Sequence, residues 1–169
     1  MPDRNPNSTA KIAGHPIHPM LITLPIAFFL ATLACDIVYA NNGREDWAEA
    51  ALWLVGAGVV TALVAALAGF IDFFGEERIR YLADAWRHMI GNLVAVSLAA
   101  ISWILRATQG AEEAVMPWGI TLSVAVALIL GYTGWKGGDL VYRHRIGVQE
   151  METPASTVET QATRQRERT

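Results

Sequence analysis

Charge is what this sequence has least of. Asp, Glu, Lys and Arg make up 17% of its 169 residues, against 53% hydrophobic, where a soluble domain carries roughly a quarter charged. The net charge of −3 gives no case for a nucleic-acid partner. Cysteine is almost absent. Cys35 stands alone, which excludes an intramolecular disulfide and a Cys-x-x-Cys-His haem attachment. No His-Glu-x-x-His pattern occurs, so a helix-borne metalloprotease site is not expected. Histidine is scarce too, with 4 in the chain, and two of them crowd into the stretch GHPIHP at residues 14–19.

What fills the chain is long apolar runs. They span residues 19–39, 47–74, 86–105 and 117–142. Each reaches about 20 residues, enough to cross a hydrocarbon core of about 30 Å. A soluble bundle would need a broad charged face on every helix, and these runs have none. The expected fold is all-α: an integral membrane four-helix bundle, up-down-up-down. Residues 1–14 read as an N-terminal segment, 15–148 as the four-helix domain, and 149–169 as a polar, disordered tail. Thr32-Leu33-Ala34-Cys35 has some likeness to a lipoprotein cleavage box, but the apolar run continues past it, so the segment reads as a membrane helix. Pro25 removes one helical hydrogen bond and should bend that helix.

Basic residues orient the bundle. Of the 13 Lys and Arg residues, only Arg44 and Arg106 fall on one side, accompanied by Glu45, Asp46, Glu112 and Glu113. The rest fall on the side of the termini, so both termini are expected to be cytoplasmic. In that frame all four histidines lie in one leaflet or just beneath it. His15 and His18 enter helix one, His88 and Asn92 open helix three, and Asp72 ends helix two. Asp139 and His144 close helix four. Ionisable groups at membrane depth are costly and turn inward toward partners. His88 and Asn92 share a helix face. His15 and His18 each precede proline, which disfavours helix. A polyproline II path, with three residues per turn, would set both imidazoles on one side as a fork. A faint repeat pairs His18 and Asp72 of one helical hairpin with His88 and Asp139 of the other. Gly134 and Gly138 form a GxxxG pair that suits close helix approach.

The stretches GHPIHPMLITLPIA, GFIDF, HMIGN and GWKGGDLVYRHRIGV carry a resemblance. The chain resembles a bacterial family of small four-helix membrane proteins of unassigned function that opens with His-Pro-x-His-Pro and closes with Gly-Gly-x-Leu-Val-Tyr-x-His. The likeness covers roughly residues 12–148. Similar proteins sometimes fuse this module to cytochrome-type or iron–sulfur domains, which implies redox chemistry in the bacterial inner membrane.

Three classes of function follow. Haem b could be clamped for electron transfer by two imidazoles from different helices, His88 with His18 or His15, or with His144 competing. Trp135 or Tyr142 would then wall the porphyrin, and a membrane redox partner or quinone would exchange electrons with it. A divalent metal such as zinc or iron could instead use His15, His18, His88 and His144 with Asp72 and Asp139. A proton-coupled transporter or a structural subunit of a redox complex would use the same polar layer, in a homo-oligomer if a path is to cross the membrane.

Overall fold

The computed structural model of the chain describes residues 5–148. The expected tail, 149–169, and residues 1–4 lie outside the described residues. A two-stranded antiparallel ribbon comes first, β1 (Lys11–Ile12) against β2 (His15–Pro16), with Ile12 opposite His15. Four spans follow, of 26, 31, 27 and 28 residues. The first joins α1 (Ile17–Leu21) to α2 (Thr23–Asn42); the second is α3 (Glu45–Gly75). After the short α4 (Glu77–Arg80) comes α5 (Ala83–Gln109). The last span opens with a kinked turn (Val115–Gly119), where Met116 is extended (φ −114°, ψ 131°), and runs into α6 (Ile120–Tyr142).

Local chemistry sets the boundaries. Pro25 has no N–H to offer the carbonyl of Leu21, and the first span breaks at Ile22, as a proline inside a helix requires. Gly43 ends α2 with φ 63° and its N–H on the carbonyl of Tyr39 at 2.8 Å, the left-handed closure that glycine adopts without strain. Glu45 and Asp46 follow in the first turn of α3, where the helix dipole favours negative charge. The helices begin and end up to about a turn beyond the apolar runs, because their polar end residues are helical too.

Each span is antiparallel to the next. α2 packs closely on α3, and α5 on α6, giving two helical hairpins; contacts between the hairpins, α3 with α5 and α2 with α6, are fewer. The interior is built of small residues. Ala48, Ala51, Ala62, Ala65, Ala95 and Ala99 are buried, while Leu63, Leu67 and Leu128 face outward. A water-soluble bundle has the reverse pattern. Here small residues bring the backbones together, and the large apolar side chains meet lipid. Phe29 exemplifies the fit: it fills the notch left by Gly58, where an added Cβ would stand 2.5 Å from the ring. The chain is a membrane protein with four helices long and apolar enough to span the bilayer.

The two hairpins repeat one another. A step of 70 residues carries His18 to His88, Thr32 to Ser102 and Asp36 to Arg106. A step of 68 carries Val55 to Ser123, Ala65 to Thr133 and Gly69 to Gly137. The contacts below obey the same correspondence, so the arrangement is two-fold-like.

Candidate functional site

His18 and His88 meet between the hairpins at the end of the bundle that carries the described termini. Their ring centroids are 6.1 Å apart and their planes cross at 88°. Each ring is seated by its own hairpin partner. His18 Nδ1 lies 2.9 Å from the carbonyl of Ala65, and His88 Nδ1 lies 2.8 Å from that of Thr133. One turn further on, each ring lies against a glycine. A Cβ at Gly69 would stand 3.0 Å from His18, and one at Gly137 2.9 Å from His88.

The carbonyls fix the tautomers. A carbonyl oxygen can only accept, so Nδ1 carries the proton in both rings and Nε2 carries the lone pair. The rest of the network agrees. The Thr133 hydroxyl donates to Asn92 Oδ1 at 2.9 Å, and the Asn92 amide donates to His88 Nε2 at 3.2 Å and to the His88 carbonyl at 2.9 Å. His18 Nε2 has no hydrogen-bond partner among the described residues. Two imidazoles from opposite hairpins thus present the nitrogen that binds metals, with their other nitrogen held as a ligating histidine's usually is.

The remaining candidates lie elsewhere. His15 does not form a fork with His18. It sits exposed in β2, with Nδ1 3.0 Å from the carbonyl of Ala13. His18 is already helical, because Pro19 falls in the first turn of α1, where the amide hydrogens have no intrahelical acceptor anyway. His144 lies past α6, its Nε2 3.3 Å from Asp84. Asp139 pairs with Lys136 at 3.0 Å, and Lys136 also reaches Asp84 at 3.1 Å. Trp135 and Tyr142 are 74% and 86% exposed and line no shared site with the imidazoles.

Asp72 serves the N-terminal segment. Its Oδ1 accepts from the backbone N–H of Thr9 at 2.6 Å and of Ala10 at 2.7 Å, and from the Ser8 hydroxyl at 2.9 Å. Beside it, Glu76 Oε2 accepts from the Asn7 N–H at 3.4 Å. The Arg78 side chain, first among several donors, holds the Glu76 carboxyl below its ordinary range. These contacts strap residues 5–10 across the bundle end.

A second polar cluster lies at the far end. Asp36 and Arg106 form an ion pair at 2.8 Å with both side chains fully buried. Asp36 Oδ2 also accepts from the Ser123 hydroxyl at 2.7 Å, and Arg106 Nε donates to Ser102 Oγ at 3.2 Å. Sequence reading missed this pair by placing Arg106 in the exposed loop region. The missed signal was its position 18 residues after His88, the same interval that separates Asp36 from His18.

No curated protein and no solved structure matches the chain. A family model does, over residues 14–150, which include both polar clusters. The chain belongs to the family described as predicted membrane protein (DUF2231).

Proposed function

We propose that this protein binds haem b between its two helical hairpins, where His18 and His88 would hold it, and carries electrons in the membrane. The observation that supports this most is the symmetric seating of the two rings. The donor count fits: haem iron takes two axial protein ligands, and two imidazoles converge here. Among the described residues no group of three or more His, Cys, Asp or Glu could hold a metal ion, whereas a closed zinc site generally takes four protein ligands. The two rings also stand close together, with centroids 6.1 Å apart.

Bound haem would supply a one-electron couple. The chain's own part is to orient and insulate. The carbonyls of Ala65 and Thr133 hold the ring planes and raise the basicity of Nε2. Gly69 and Gly137 leave the space that the rings occupy. Asn92, which donates to His88 Nε2 and accepts from Thr133, would yield the first bond to the bound group and keep the second. In the cytoplasmic-termini orientation the site lies in the inner leaflet, within reach of a membrane quinone or a redox partner.

The test is an optical spectrum of the detergent-purified protein, made with ample haem and read oxidised and then dithionite-reduced. A Soret band that shifts on reduction, with a resolved α band, is expected. His18→Ala and His88→Ala should each abolish it, and His15→Ala and His144→Ala should not. A featureless spectrum, or a band kept by both His18→Ala and His88→Ala, would overturn the reading. A colourless protein that holds stoichiometric metal, lost in His18→Ala, would put a non-haem ion in its place.

A further inference from the structure

The far-end cluster contains more hydrogen-bonding capacity than the protein uses. Asp36 Oδ1 and Arg106 Nη1 are buried with no hydrogen-bond partner among the described residues. Asp36 is 0% and Arg106 1% exposed. Leaving a charged group's acceptor or donor unmet in a low-dielectric interior is costly. A marginally stable fold seldom carries two such costs on one ion pair.

A cavity adjoins the pair. Phe29, Val55, Ala99 and Val126 line its apolar part, and Thr32, Ser102 and Ser123 supply hydroxyls. It admits the centre of a water molecule over about 10 Å³, the scale of a single-water site. The hydroxyl assignments show what such a guest would meet. Ser123 gives its proton to Asp36 and Thr32 gives its own to the carbonyl of Phe28. Ser102 accepts from Arg106 Nε, and its own proton has no acceptor among the described residues. The guest must therefore accept from Ser102 and donate to a hydroxyl lone pair. Only a molecule that both donates and accepts does this, and at this size that molecule is water.

We infer that the far half of the bundle binds ordered water. One molecule occupies the cavity between Thr32, Ser102 and Ser123, two of whose hydroxyls hold the ion pair, Ser102 on Arg106 and Ser123 on Asp36. The ion pair is then braced by hydrated hydroxyls inside the membrane domain, and the cavity wall draws on all four helices. This does not depend on the haem reading, since no residue is shared.

X-ray radiolytic labelling with mass spectrometry tests it, because bound water converts to hydroxyl radical in place and marks the side chains beside it. Phe29 and Phe73 provide the contrast. They are 3% and 5% exposed, but Phe73 packs with Ile79 and Ala85 away from this cavity. In the full chain in nanodiscs, Phe29 is expected to label several-fold more than Phe73. In Ser102→Val, which fills the cavity and removes its free donor, Phe29 should fall to the level of Phe73. Equal protection of the two rings in the native protein would overturn the proposal. So would undiminished Phe29 labelling in a Ser102→Val protein whose circular dichroism is native.

Discussion

Exchanging the two charges of the far-end pair tests both the pair and the repeat that creates it. Removing one partner strands the other. Asp36→Ala leaves Arg106 buried without its carboxylate, and breaking such a pair costs about 3–5 kcal/mol. Asp36→Arg is worse, since two guanidiniums would then face each other where both side chains are inaccessible. The correspondence between hairpins predicts what the double exchange D36R/R106D does. Positions 36 and 106 are equivalent, so the new arginine and the new aspartate meet as the old ones did. The arginine at 36 finds Thr32 one turn back, as Arg106 finds Ser102, and Thr32 Oγ1 retains capacity to accept. The aspartate at 106 does less well. Native Asp36 takes a hydroxyl from Ser123, and the equivalent position holds Val55. The double variant should therefore recover all but one interhelical hydrogen bond, a deficit of about 0.6–1.7 kcal/mol. Adding Val55→Ser should remove that deficit. Unfolding by SDS titration in mixed micelles, followed by circular dichroism, gives the four free energies. If the double exchange is as unstable as Asp36→Arg alone, the equivalence of the two positions is wrong.

Two further outcomes follow from other contacts. Gly69→Ala and Gly137→Ala should push the imidazoles from their seats, since the new methyl groups would stand 3.0 Å and 2.9 Å from the rings. Each is expected to cost about 1–3 kcal/mol and to weaken any colour the protein carries. Gly131→Ala and Gly134→Ala meet nothing within 4 Å and should be neutral or gain up to about 1 kcal/mol of helix propensity; the same SDS titration ranks all four. Acid should loosen the N-terminal strap. The Glu76 carboxyl is held below its ordinary 4.5, chiefly by Arg78. Its contribution is therefore complete above that value and is lost as pH falls through the lower folded one. Hydrogen exchange should show the Asn7 amide losing protection across that window, and Glu76→Gln should show low protection at neutral pH with no step. A step of unchanged size in Glu76→Gln would assign the acid sensitivity to another group.

The helices were legible because a bilayer imposes a length, and about 20 apolar residues leave little else to build. Pro25 was legible for the same reason of local chemistry: a missing N–H breaks the ladder wherever it occurs. The opening His-Pro-x-His-Pro stretch was not. The pre-proline rule treats His15 and His18 alike, yet one lies in a β-ribbon and the other in a helix. What separates them is tertiary: Asp72 fastens residues 8–10, and the chain must then turn into α1. Asp72 and Asp139 misled in a similar way. They seemed to mark a repeat at intervals of 54 and 51 residues from the histidines, but one caps a strap and the other pairs with Lys136. The carbonyls of Ala65 and Thr133 leave no mark in sequence at all, since any residue supplies one.

The repeat also explains why the two polar ends of the bundle differ in kind. Equivalent positions in the two hairpins face each other across the seam, so the residues there meet as pairs. At the far end the pair is Asp36 with Arg106. Opposite charges satisfy one another, and what they still require is small enough for water to provide. At the other end the pair is His18 with His88. Two imidazoles with Nδ1 protonated on carbonyls present lone pairs at both Nε2 atoms, and two acceptors cannot satisfy each other. Asn92 meets one of them from within its own helix; the other has no protein donor among the described residues. A pair of like acceptors is satisfied by a third body between them, either a bridging donor such as water or a metal ion, and the haem proposed above is of the second kind. The same geometry with unlike residues makes an ion pair, and with like residues it leaves two imidazoles facing one another. That contrast is why the proposed cofactor is assigned to the histidine end and the water to the aspartate–arginine end.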